Sequence, residues 1–95
     1  MEQRTSKERL YWLIELQRLK KIEMDNFCRE FQSTYDHDLE FEELNGQERL
    51  LFSELARASS RYSPFEQERI LYPNVYTDEE EIERIINKIT KLLNI

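Results

Sequence analysis

The sequence predicts an all-α protein, a small antiparallel four-helix bundle in a single domain spanning residues 1–95. Three observations support this. Charged residues make up 36% of the chain and hydrophobic ones 39%, with one glycine and one valine, a mixture rich in side chains that lose little freedom in a helix and poor in those that favour strands. Apolar residues recur at three- and four-residue spacing in several stretches. Helix-start signatures precede three of those stretches.

The first helix is expected from Thr5-Ser6-Lys7-Glu8, a capping-box pattern in which the hydroxyl accepts from a backbone N–H ahead and the glutamate reaches back. Leu10, Leu13, Ile14, Leu16 or Gln17, and Leu19 follow at helical spacing; Tyr11 and Trp12 broaden the face, with Trp12 expected to be partly buried. Lys20-Lys21-Ile22-Glu23 contains no proline or glycine, but the apolar phase shifts there, so a short turn and a second helix from Met24 or Asp25 are expected. In that helix Phe27, Phe31 and Tyr35 fall on one inward line, leaving Arg29 and Glu30 outside. Cys28, the only cysteine, reads as a small buried hydrophobe.

Asp36 to Leu44 reads as an acidic loop without lysine or arginine, and its Asp36-His37-Asp38 triplet is too small a donor set to predict a metal site. Asn45-Gly46-Gln47-Glu48 is a second capping signature, opening a third helix that runs to about Ser60. Leu51, Leu55, Ala58 and Tyr62 form its stripe, widened by Leu50 and Phe52, with Ala56 and Ala58 small enough for close helix approach; Glu48, Arg49, Glu54, Arg57 and Arg61 are expected on the exposed side. Ser63-Pro64-Phe65 must end this helix, because proline restricts the residue before it to extended conformations. Glu66 to Leu71 has room for a short helical turn, and Pro73-Asn74 is a second break. Thr77 is expected to cap the last helix, with Asp78, Glu79 and Glu80 in its first turn, Lys88 and Lys91 towards its end, and Ile82, Ile85, Ile86, Ile89, Leu92 and Leu93 along its apolar face.

Function classes narrow by elimination. The net charge of −6 argues against a nucleic-acid binder, which needs a positive face for phosphates. No apolar run approaches the ~20 residues of a membrane span, and the N-terminus lacks a signal-peptide pattern, so a cytoplasmic protein is expected. One cysteine, one histidine and one glycine offer no nucleophile–base pair, oxyanion turn or phosphate loop, so no enzyme, cofactor or metal is expected.

The segment from Arg61 to Glu81 stands apart. It holds both prolines, three of five tyrosines and six of twenty acidic residues. Aromatics beside carboxylates suit a protein interface, and the acidity suits a basic partner. Tyr62, Phe65, Glu66, Glu68, Tyr72, Tyr76, Asp78 and Glu79 are the candidate binding residues. Asp78 and Glu79 also serve a helix start, whereas Glu66 and Glu68 have no evident structural role in the sequence. The loop from Asp36 to Glu43 is the alternative placement.

The order Phe27-Cys28-x-x-Phe31, an acidic loop, Glu48 to Glu54, then Tyr62-Ser63-Pro64-Phe65-Glu66 and Thr77-Asp78-Glu79-Glu80 before an apolar helix resembles the colicin D immunity-like family. That family includes immunity proteins of contact-dependent growth inhibition. The resemblance implies a small four-helix protein that binds the ribonuclease domain of a cognate toxin and occludes its tRNA-cleaving site with acidic side chains. The colicin D inhibitor carries further acids around the matching proline, where this chain has Ser63 and Phe65 and places Glu66 and Glu68 later. A helical adaptor that binds a protein without inhibiting an enzyme, and a homodimer burying its own aromatics, are the competing expectations.

Overall fold

The computed structural model describes residues 5–39 and 44–95, except for the Asp38 side chain. Glu40 to Glu43, the centre of the expected acidic loop, lie outside the described residues. The described residues form five α-helices and one π-helical turn, with no strand: α1 (Ser6–Arg18), α2 (Met24–Ser33), the turn Thr34–Asp38, α3 (Gly46–Ser60), α4 (Glu66–Leu71) and α5 (Glu79–Leu93).

Both expected capping boxes form. The Thr5 hydroxyl accepts from the Glu8 amide at 3.1 Å while the Glu8 carboxylate accepts from the Thr5 amide at 2.9 Å. Asn45 and Glu48 repeat this reciprocity at 2.8 and 2.9 Å. Each box satisfies two backbone donors that a helix start would otherwise leave unpaired.

The end of α1 shows how a helix stops without glycine. The Lys21 amide donates to the Leu16 carbonyl at 2.8 Å and the Lys20 amide to the Gln17 carbonyl at 3.0 Å, the paired bonds of a Schellman motif. That motif requires a left-handed residue, and Lys20 supplies it with φ of 57°. The chain then turns into α2 at Met24.

The core is built where α2 packs on both α1 and α3, and α3 in turn packs on α5. Phe27, Phe31 and Phe52 are fully buried, with Phe31 and Phe52 edge to face at 5.9 Å and Phe52 meeting Tyr11 at 5.3 Å. Leu10, Leu13 and Ile14 close it from α1, and Ile82, Ile85, Ile86 and Ile89 from α5. Trp12, Tyr35 and Tyr62 are partly buried against it, and Cys28 is buried. Past α2 the backbone widens into the π turn, where the Leu39 amide reaches the Thr34 carbonyl at 3.0 Å. The buried Thr34 hydroxyl accepts from Arg9 Nε at 3.2 Å, tying α1 to this turn.

Four expectations change. Glu48 is 4% exposed rather than on the outer face of α3, because it is the third residue of its capping box and also accepts from the Tyr11 hydroxyl of α1. Leu50 is 73% exposed and does not widen the apolar stripe; Leu19 and Leu92 also face solvent at the edges of theirs. Asp78, not Thr77, caps α5, accepting from the Glu81 amide at 2.9 Å. Thr77 is held back because its hydroxyl donates to the Ala58 carbonyl at 2.7 Å. Finally, the short helical turn expected over Glu66 to Leu71 forms as a helix, which brings the α-helices of the described residues to five where four were expected.

Candidate protein-binding surface

Between α3 and α5 the chain makes an excursion whose two ends are fastened together. The Ser63 amide donates to the Thr77 carbonyl at 3.1 Å and the Thr77 amide to the Arg61 carbonyl at 2.9 Å, a single parallel bridge between Tyr62 and Thr77. Compact loops with closed ends are common carriers of binding residues because a rigid scaffold fixes their base.

Ser63 is the node of this excursion and is 2% exposed. Its hydroxyl accepts from the Phe65 amide at 3.1 Å and donates to the Glu68 carboxylate, while its carbonyl accepts from the Arg69 guanidinium. The Ser-Pro-Phe-Glu stretch thus has a structural reason. Proline sets the turn, and serine gathers the charged pair of α4 towards the protein body. Replacing Ser63 by alanine is expected to loosen the excursion by about 1–2 kcal/mol, since buried partners lose their bonds. Hydrogen exchange should accelerate at the Phe65 and Thr77 amides but not at Leu55; uniform protection throughout would disprove the node.

The consequence for α4 is an inverted orientation. Successive helical residues turn by about 100°, so Glu68 and Arg69, both drawn to Ser63, occupy one side, and Glu66, Gln67, Ile70 and Leu71 occupy the other. Ile70 is 68% exposed and Leu71 70%, and α4 buries none of its residues. A surface helix ordinarily turns its apolar stripe inward; here the charged pair points in and the aliphatic pair out. Phe65, 65% exposed, precedes the helix, while Tyr72 and Val75, also exposed, follow it.

The expected binding residues distribute unevenly over this surface. Phe65, Glu66, Tyr72 and Glu79 are exposed. Tyr72 and Tyr76 meet edge to face with ring centres 6.3 Å apart, and Tyr76 is half-buried. Tyr62 rests partly in the core, where burial first and then the Glu79 carboxylate push its phenol pKa upward. Asp78 is occupied as a cap, and Glu68 by Ser63, which gives it the structural role its sequence position did not reveal. Among the described residues no ion pair engages Glu66, Glu79 or Glu80. Ile70, Leu71 and Val75 escaped the sequence reading because an aliphatic pair in a short helix ordinarily reads as core; only the Ser63 contacts decide which side faces out.

Elsewhere the chemistry is quieter. Burial pushes the Cys28 thiol up to about 12, which leaves it protonated near neutral pH. Among the described residues no group of three or more His, Cys, Asp or Glu could hold a metal ion, and no helix is long and apolar enough to cross a membrane. Comparison of the chain with protein-family models, curated proteins and solved structures finds no match.

Proposed function

We propose that this chain is an immunity protein that binds a cognate nuclease toxin domain and neutralises it in the cytosol of the producing cell. The observation that carries the reading is the inverted α4, which exposes Ile70 and Leu71 together with Glu66 on an excursion fastened at its base. Exposed apolar surface of this kind marks a protein interaction site. The sign of the surroundings favours a cationic partner, because the segment from 61 to 81 carries six acidic and two basic side chains, a net of 2 − 6 = −4. A nuclease cleft that binds phosphates has the complementary sign. In this reading α1, α2, α3 and α5 are the four members of an antiparallel bundle, and the excursion is the part that reaches the toxin. The protein acts by occupying a cleft and needs no catalytic group or cofactor of its own.

Co-expression tests it. Cells producing the toxin domain encoded immediately upstream are expected to survive only when this chain is also present. Cell death despite normal accumulation of the folded chain would remove the immunity reading; a complex that forms without protection would favour an adaptor instead.

A further inference from the structure

Between Ser63 and Ile82 the chain buries no residue. Most helical stability in a protein comes from packing an apolar face, and a helix shorter than about 12 residues is marginal by itself. α4 has six residues, exposes its aliphatic pair and lacks a side-chain cap at Phe65. The extensively packed helix pairs are α1 with α2, α2 with α3 and α3 with α5, and α4 belongs to none of them. No apolar side chain from 64 to 76 joins those packed against the core. Hydrophobic burial therefore does not hold the excursion closed.

What holds it is polar and internal. The Glu68 and Arg69 amides donate to the Phe65 carbonyl at 3.1 and 3.3 Å, the Tyr72 amide to the Glu68 carbonyl at 2.9 Å, and the Val75 amide to the Tyr72 carbonyl at 3.0 Å. The Glu68 and Arg69 side chains close on Ser63, and the base closes among Arg61, Ser63 and Thr77. Among the described residues, the only hydrogen bond from 64–77 to a residue before Arg61 is that of the Thr77 hydroxyl to the Ala58 carbonyl. Opening the segment from 64 to 76 thus takes no hydrogen bond from the bundle, where α3 and α5 pack directly on each other.

The balance is thin. A net hydrogen bond shifts an equilibrium by about tenfold, and the two side-chain bonds at Ser63 work against the backbone freedom that the segment recovers on opening. The edge-to-face contact of Tyr72 with Tyr76 lies within the same segment and is made and lost with it. Native proteins open locally where buried contacts are few. Leu55 in α3 and Ile85 in α5, by contrast, are buried in the core and open only when it does.

We propose that residues 64–76 form a strap that opens and closes as one unit, hinged at Ser63 and Thr77, while the helices on either side stay folded. Closed, the strap presents Phe65, Ile70 and Leu71 on an ordered α4; open, α4 melts and that face disperses. This is a property of the free chain and stands whatever binds it. It also gates binding, because a partner that reads the ordered face has its affinity reduced by the closed fraction and closes the strap on contact.

Native-state hydrogen exchange on the full ¹⁵N-labelled chain, under conditions where rates report opening equilibria, tests it. The Glu68, Tyr72 and Val75 amides are expected to be protected at least about tenfold over an unstructured peptide and to exchange through one shared opening. That opening should be at least about a hundredfold more populated than the global unfolding that governs Leu55 and Ile85, and nearly insensitive to dilute denaturant because it exposes little surface. Arg69→Ala, which removes one of the two side chains latched to Ser63, should raise all three rates by one common factor of about ten and leave Leu55 and Ile85 unchanged. Protection at the three amides equal to that at Leu55 would show that the excursion opens only with the bundle, and unequal factors in the variant would show residue-by-residue fraying. Either result overturns the proposal, as does an absence of protection in the wild type.

Discussion

If the chain binds a nuclease as proposed, replacing Ile70 and Leu71 together by aspartate is expected to weaken that binding by about a hundredfold or more, with no loss of helical circular dichroism. The two side chains are 68% and 70% exposed in the free protein, so they contribute little to its core. Burying each at an interface yields about 1.5–3 kcal/mol, of which part is offset by ordering. A net loss of about 3 kcal/mol corresponds to roughly a hundredfold in affinity. Desolvating two added carboxylates pushes further in the same direction. Because the side of α4 that holds it to Ser63 is untouched, the excursion should keep its shape. Calorimetric titration against the toxin domain, with melting temperature as the control, decides the matter; undiminished affinity in the double variant would show that the partner binds elsewhere.

The proposed function predicts that this surface separates rate from affinity. Glu66 and Glu79 are exposed and free of ion pairs among the described residues, so under the proposed function their charge is expected to act on encounter with the cationic cleft. Under the same proposal the aliphatic pair is expected to act after contact, on release. Glu68 belongs to neither class, since reversing its charge would break its bond with Ser63 and confound folding with binding.

How far the sequence could be read depended on whether a feature was local. Capping boxes, the proline stop after Tyr62 and the isoleucine stripe of α5 involve residues three or four apart, and all appear as expected. The segment from Arg61 to Glu81 was also recognisable as unusual from its composition. What it could not reveal was contact across the fold. Ser63 draws Glu68 and Arg69 inward, which turns Ile70 and Leu71 outward, and no periodicity in a six-residue helix encodes that choice. Thr77 has the chemistry of a cap but is held by the Ala58 carbonyl, 19 positions away, so Asp78 takes its place. Glu68 is thereby tied to Ser63, and Ile70 and Leu71 join Glu66 on the exposed side of α4.

Glu48 is the plainest case of a residue that looks like surface and is core, and its removal should have the largest effect on stability. One carboxylate oxygen accepts from the Asn45 amide at 2.9 Å and pairs with Lys7 Nζ at 3.3 Å; the other accepts from the Tyr11 hydroxyl. Glu48 therefore couples the start of α3 to α1 beside the Phe52 ring. Glu48→Ala strands the Tyr11 hydroxyl and the Asn45 amide together and breaks the capping box, for which about 3 kcal/mol is expected. In a domain of this size that lowers the melting temperature by roughly 12–24 °C. The pH dependence carries the same signature. Burial alone would raise the Glu48 pKa, but the Tyr11 hydroxyl, the Asn45 amide and Lys7 together outweigh it and hold it below the ordinary carboxylate value. A depressed folded pKa gives stability that is complete above the unfolded value of about 4.3 and lost as pH falls through the folded one. The Tyr11 phenol is shifted upward, by burial and then by Glu48, so its contribution holds below its ordinary value of about 10 and fades as pH rises beyond it. Denaturant melts of wild type and Glu48→Ala from pH 3 to 11 should therefore converge at both extremes and differ most near neutrality. A constant difference across that range would mean that Glu48 acts through packing and not through its charge.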